Sequence, residues 1–164
     1  MRLATARDMD AIMAIVKGTV YLMTAEGSDQ WSDDYPLPEH FLPDIDAGTL
    51  FIHEESGRMA GFICINDIQP AEYAALTWQS DAPSLVIHRL AVAPDARKKG
   101  IGGLLMAFAE ELAGSAGIHN LRSDTYSLNK GMNYLFSRSG YHKVGEVNLK
   151  GRPLKYNCYE KKLG

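Results

Sequence analysis

Cysteine is scarce in this chain: Cys64 and Cys158 are the only two among 164 residues. Two distant thiols supply neither the close-spaced ligands of a structural metal site nor a disulfide framework. Cys64 lies in the apolar run GFICI, where it reads as a buried structural thiol, and a reducing cytoplasm is the expected setting. No stretch approaches the roughly 20 apolar residues of a membrane-crossing helix. The opening MRLATARDMD has no apolar core of the secretory type. No Gly-Lys-Ser or Gly-Lys-Thr occurs, so the nucleoside-triphosphate loop pattern is absent. Gly100-Ile101-Gly102-Gly103 lacks the third glycine spacing of a dinucleotide fingerprint. No basic run is interleaved with aromatics and the net charge is −3, which points away from nucleic acid. No repeat, low-complexity tract or interdomain linker is visible.

What is present fits one domain over residues 1–164, with 46% apolar and 23% charged residues. The charge is unevenly spread. Residues 1–88 hold 4 Lys and Arg against 14 Asp and Glu, whereas residues 89–164 hold 13 against 6. That contrast fits solvated faces, or a basic half for an anionic ligand and an acidic half facing an amine.

Periodicity gives the element order. Met1–Thr5 reads as a short strand, and Asp8–Thr24 as a helix with Met9, Ile12, Met13, Val16, Val20 and Met23 at helical spacing. Ala25–Pro38 is an acidic loop carrying Trp31 and Tyr35, and Glu39–Ala47 a second helix closed by Gly48. Thr49–Glu54 and Met59–Ile68 form a hairpin about Glu55-Ser56-Gly57-Arg58. Gln69–Ala82 reads as a connection. A strand within Leu85–Val92, a helix over Gly100–Ala113, a strand over Asn120–Thr125 and a helix over Asn129–Ser139 follow. Tyr141–Val147 and Pro153–Lys161 close the chain as two strands turning at Lys150-Gly151.

The stretch Leu85–Gly103 organises the rest. An apolar strand is broken by Pro94, and Arg97-Lys98-Lys99-Gly100-Ile101-Gly102-Gly103 then opens a helix. The first-turn N–H groups of a helix lack intrahelical partners, glycines admit close approach, and three cations add attraction. Such a turn suits a phosphate.

At these residues the chain resembles the GNAT superfamily of acyl-CoA-dependent N-acetyltransferases, whose phosphate loop reads Q/R-x-x-G-x-G/A between a strand and a helix. A second match is Asn129 to Tyr141, NKGMNYLFSRSGY, against N-x-x-A-x-x-L-Y-x-K-x-G-F, with Asn129, Leu135, Arg138, Gly140 and Tyr141 in register. Gln30-Trp31, Tyr35-Pro36 and Arg122-Ser123-Asp124-Thr125 resemble a bacterial subgroup. The resemblance implies an α/β GNAT fold, with a mixed, mostly antiparallel sheet of six or seven strands and helices on both faces. It implies acetyl transfer from acetyl-CoA to a small-molecule or peptide amine in a ternary complex, without a metal, a covalent intermediate or a membrane. Dimers are common in such families, and the oligomeric state stays open.

The resemblance also implies that Arg97, Lys98, Lys99, Gly100, Ile101, Gly102 and Gly103 hold the CoA pyrophosphate. Leu90, Ala91 and Val92 would pair with the pantetheine arm as a missing strand does, a main-chain N–H there stabilising the oxyanion. Asn129 would bond the pantetheine or cap its own helix, and Phe136 would lie against the cofactor. His88 is the candidate base, since strand alternation puts it on a face with Val86, Leu90 and Val92; its alternative is a structural histidine. Trp31, Tyr35 and Asp124 are candidates for the acceptor pocket, simple packing being the more common role of such loop aromatics and a strand-end cap the alternative for Asp124. Many relatives carry a tyrosine acid where this chain has Phe136. Tyr134, two positions away and about 200° round the helix, is the hydroxyl offered in its place, with Tyr126 as another. Phe136 therefore favours a rival reading, a non-catalytic acyl-CoA sensor, while an N-terminal or lysine acetyltransferase is the other alternative.

Overall fold

The computed structural model describes residues 1–164. Seven strands and four helices follow in the expected sequence: β1 Arg2–Leu3, α1 Met9–Ala25, α2 Pro38–Asp46, β2 Leu50–Glu55, β3 Arg58–Asn66, β4 Leu85–Val92, α3 Ile101–Ser115, β5 Asn120–Tyr126, α4 Lys130–Arg138, β6 His142–Val147 and β7 Tyr156–Lys162. The strand order is β1-β2-β3-β4-β5-β7-β6, with a parallel β4–β5 pair and antiparallel pairs β1–β2, β2–β3, β5–β7 and β7–β6. Two compact units divide the chain, Met1–Ile65 with Arg89–Leu105, and Asn66–His88 with Met106–Gly164. The division falls inside β4, between His88 and Arg89.

In the first unit, the Asp8 carboxylate accepts from the Thr5 amide at 2.8 Å and starts the first helical turn. Arg2 reaches Asp8 and Glu54 together, at 2.8 Å each. α1 then buries Ile12, Ile15, Val16 and Thr19. Pro38 stands at the start of α2, where its missing N–H costs nothing. Ser56 and Gly57, at φ +51° and +74°, give the β2–β3 hairpin the left-handed turn that matches strand twist. Phe41, Leu50, Ile52, Phe62, Ile63, Ile101 and Leu105 are at most 1% exposed and form much of this core.

Gly61 has a packing reason. A Cβ there would lie 2.8 Å from the Ala91 carbonyl oxygen and 3.3 Å from Leu105. Glycine lets β3 approach β4 at the point where β4 leads into the basic turn.

The second unit packs Tyr73, Val86, Tyr126, Val147, Leu149, Tyr156 and Cys158 into one cluster. The segment read as a connection contains a 3-10 turn over Ala71–Ala75, and Tyr73 within it is 2% exposed. Arg122 ties this segment down: it donates to Gln69 at 2.7 Å, lies 4.2 Å from the Trp78 ring, and pairs with Glu160 at 3.5 Å. β7 starts three residues later than the sequence suggests, at Tyr156, after the left-handed Lys150-Gly151 turn and Pro153, which has no N–H for the ladder.

Candidate active site

The central feature of the site is a break in β4. Leu85, Val86 and Ile87 pair in parallel with Leu121, Arg122 and Ser123 of β5, and the Ser123 hydroxyl donates to the Ile87 carbonyl at 2.8 Å. Two residues later Arg89 has φ +33°. A non-glycine residue in that region carries about 1–3 kcal/mol of strain, which surrounding contacts must hold. Here they come from the first unit. Arg89 Nε donates to Asp44 Oδ2 at 3.0 Å, and an Nη2 bond to the same oxygen completes the pair. The guanidinium lies 6.0 Å from the Phe41 ring, and Nη2 sits 3.9 Å from Cys64 Sγ. Burial opposes the Arg89 charge, but hydrogen bonding to Tyr35 and attraction to Asp44 outweigh it and hold its pKa above the ordinary value. Burial pushes the Cys64 thiol up to about 12, so Cys64 is no nucleophile at neutral pH.

The break also alters the expected facing of His88. Alternation cannot be carried through Arg89, so a face shared by His88, Leu90 and Val92 no longer follows from the backbone. Before the break, alternation does hold. The Val86–Arg122 register puts His88 and Asp124 on one face of the second unit's strands.

Past the break, β4 leads into the basic turn. The Ala93 N–H donates to the Ala60 carbonyl at 2.8 Å, and Pro94–Ala96 form one 3-10 turn. Arg97 is extended, with Nε 3.5 Å from the Val92 carbonyl. Its burial lowers its pKa, countered by the Glu26 carboxylate. Lys98 at φ +63° and Gly100 at φ +85° turn the chain into α3, whose first bond runs from the Leu104 N–H to the Gly100 carbonyl. Lys98, Lys99, Gly100 and Gly103 are exposed, while Ile101, 1% exposed, anchors the turn in the core. A Cβ added at Gly100 or Gly103 would meet no atom within 4 Å. The result is an open, cationic surface over the first-turn N–H groups of α3, which suits a phosphate. Leu90 and Val92 are half-buried and Ala91 is buried.

His88 Nε2 stands 3.0 Å from Asn66 Oδ1 and 3.1 Å from the Ile68 carbonyl. Two oxygen acceptors at one nitrogen assign the proton to Nε2, which leaves the basic lone pair on Nδ1. Asn66 Oδ1 also accepts from the Ile68 N–H at 2.9 Å, fixing the loop against the ring. On β5, Asp124 accepts from the Tyr73 hydroxyl at 2.7 Å. Burial raises the Asp124 pKa and Glu72 adds to that, while the Tyr73 bond and Lys150 pull it down. Asp124 as a residue is half-buried, and its carboxyl is desolvated.

The remaining candidates are distributed. Trp31, 5% exposed, lies parallel to Phe62 at 6.5 Å and serves the first core. Tyr35 meets His40 edge-on at 4.9 Å and reaches Arg89. Asn129 caps α4, accepting from the Met132 N–H at 3.0 Å. Phe136, 1% exposed, stacks on Tyr159 at 4.9 Å and packs against Tyr141, whereas Tyr134 is 65% exposed. Tyr126 is fully buried and its hydroxyl accepts from the Leu154 N–H at 3.2 Å. Sequence reasoning missed Arg89, Asp44, Asn66 and Tyr73. The adjacent polar pair His88-Arg89 inside an apolar strand was the available signal, since two polar neighbours break alternation as a bulge does.

The family model described as Acetyltransferase (GNAT) family matches residues 19–141. Bacillus subtilis has a relative, the uncharacterized N-acetyltransferase YesJ, 24% identical over 98% of this chain and 88% of that protein. Among solved structures, a GNAT-family acetyltransferase from Streptococcus agalactiae is 28% identical over 99% of this chain and 94% of its own, with a TM-score of 0.85. A Salmonella typhimurium protein solved with acetyl-CoA shares the fold at 18% identity and a TM-score of 0.70, over 99% and 92% of the two chains. With its sheet order, its open basic turn at the start of α3 and a family match over most of its length, the chain belongs to the acetyltransferase (GNAT) family.

Proposed function

We propose that this protein transfers the acetyl group of acetyl-CoA to a primary amine by direct attack. The observation that carries the reading is the turn from Arg97 to Gly103, where exposed Lys98 and Lys99 and the open backbone of Gly100 and Gly103 stand at the start of α3. That surface fits a pyrophosphate. The acetyl-CoA bound to the Salmonella typhimurium relative, which shares the fold, supports the choice of donor. Main-chain groups of Leu90 and Val92 pair with the pantetheine arm, and an N–H there receives the oxyanion.

In the step itself, the neutral amine nitrogen attacks the thioester carbonyl carbon. The C–N bond forms and the carbonyl electron pair moves to oxygen. Collapse of the intermediate breaks the C–S bond and releases the thiolate. The proton lost by nitrogen passes to His88 or solvent, and sulfur takes up a proton to leave as the thiol. A thiol pKa near 8–9 makes the thiolate a tolerable leaving group, so solvent suffices as acid where Phe136 stands. Asp124 attracts the protonated acceptor before attack.

Phe136, which cannot donate a proton, favours a second reading, an acyl-CoA-binding module without turnover. The discriminating experiment incubates the protein with acetyl-CoA and a panel of small amines, amino acids, polyamines and peptides, and follows free CoA thiol. Amine-dependent thiol release equal to the N-acetylated product is expected. Tight acetyl-CoA binding with no thiol released by any amine would establish the second reading.

A further inference from the structure

We propose that Arg89 is a positioning residue whose clamp on Asp44 holds the left-handed turn in β4 and so aims the Leu90–Val92 main chain at the acetyl donor. The proposal rests on the acetyl-CoA reading above. The starting point is a mismatch between residue and conformation. Gly populates φ near +33° readily, whereas arginine adopts it at a cost. A glycine would relieve that strain but could not fix the turn, because it visits positive and negative φ about equally. The arginine side chain can.

Everything the guanidinium touches restrains it. Asp44, 7% exposed, accepts from both Nε and Nη2. Cys64 Sγ and the Phe41 ring enclose its other sides, and Tyr35 hydrogen-bonds to it. A buried ion pair is weak evidence for stability, but it can specify one conformation. The planar fork matters, because lysine has no second nitrogen with which to grip one carboxylate from two directions.

The clamp acts where the strand enters a fixed segment. The Ala93 N–H is bonded to Ala60, and Gly61 admits the Ala91 carbonyl at close range. Ahead of those anchors, φ at Arg89 sets how the following peptides are turned. Relaxation of Arg89 to an extended φ would turn the Leu90 and Val92 amides out of their present directions. Asp44 and Arg89 are 45 positions apart, so α2, through Asp44, takes part in shaping the donor-binding strand.

The effect on binding follows from the population of the competent turn, since apparent affinity falls by the fraction in that state. Arg89→Gly should bind acetyl-CoA about twofold more weakly than the wild type, as glycine divides between the two signs of φ. Arg89→Ala and Arg89→Lys keep the Cβ strain and lose the grip, so each should bind about tenfold more weakly, the factor that 1.4 kcal/mol represents. Asp44→Asn should follow them.

The test is calorimetric titration of acetyl-CoA into the wild type and these four variants, with a melting temperature recorded for each. Wild-type binding is the control for the acetyl-CoA reading. Weak binding by Arg89→Ala, Arg89→Lys and Asp44→Asn, with recovery in Arg89→Gly, supports the clamp. An ordinary stabilising ion pair would lower the melting temperature of all four and leave affinity unchanged, which overturns the clamp and spares the acetyl-CoA reading. Arg89→Gly as weak as Arg89→Lys also overturns it, and this comparison stands if Arg89→Ala fails to fold. Failure of the wild type to bind acetyl-CoA overturns the reading and the clamp together.

Discussion

The Tyr73 hydroxyl donates to Oδ2 of Asp124 at 2.7 Å, joining a 3-10 turn to a central strand across 51 positions of sequence. Tyr73 is buried, and desolvation raises its own pKa well above the ordinary value, so it stays a donor at neutral pH. Burial of the Asp124 carboxyl beside it raises the pKa of that group, although the Tyr73 bond pulls the other way.

That condition gives a signed pH effect. The groups facing Asp124 are Tyr73 and Glu72 from the 3-10 turn and Lys150 from the last turn, with Cys158 opposite it on β7. Burial raises its folded pKa above an unfolded value of about 3.9. Its contribution is therefore fully present below that value and is lost as pH rises toward the raised folded pKa. Asp124→Asn does not titrate, so its melting temperature relative to wild type should climb between pH 3 and pH 7. Turnover at pH 7 should fall in the same variant. A melting difference that is flat with pH, together with unchanged turnover, would remove Asp124 from the site.

Gly61 predicts a mechanical effect. Gly61→Ala puts a methyl 2.8 Å from the Ala91 carbonyl oxygen, and backbone has to yield. Overpacking of this kind costs about 1–3 kcal/mol, read as a lower midpoint in urea. Because the displaced carbonyl belongs to β4, acetyl-CoA affinity should drop as well. A variant with wild-type midpoint and affinity would show that β3 and β4 have slack there.

The helices and strands were largely legible in sequence because each is written in consecutive residues. The basic turn was too: an apolar run, Pro94, three cations and glycines lie within one short window. The relationships that give those residues their roles were not. Arg89 and Asp44, like Tyr73 and Asp124, meet only through the tertiary fold. Tyr73 lies in the stretch that reads as a connection, and its 3-10 turn packs it into the second core. Trp31 and Phe136 illustrate the reverse. Their sequence settings suggested pocket and cofactor surfaces, yet apolar burial draws both rings into packed clusters. His88 was identified by its residue type, but whether Leu90 and Val92 share its face is decided by the strained neighbour after it.

His88 predicts a change in the shape of a pH profile. His88 Nε2 is engaged by Asn66 and Ile68, which holds the ring in place on β4. His88→Ala should lower turnover about 10²-fold and flatten its dependence on pH near neutrality. An unchanged profile would identify His88 as a structural residue of β4.

The central claim is that the open turn before α3 holds the acetyl donor, and Gly103→Trp tests it most directly. A side chain at Gly103 leaves the protein surface without meeting any atom within 4 Å at its first carbon, so the fold should be kept. The same side chain would occupy the space over the first-turn N–H groups. Titration of acetyl-CoA into wild type and Gly103→Trp should show at least about a tenfold loss of affinity, or 1.4 kcal/mol, at an unchanged melting temperature. Equal affinity in the two proteins would contradict the account.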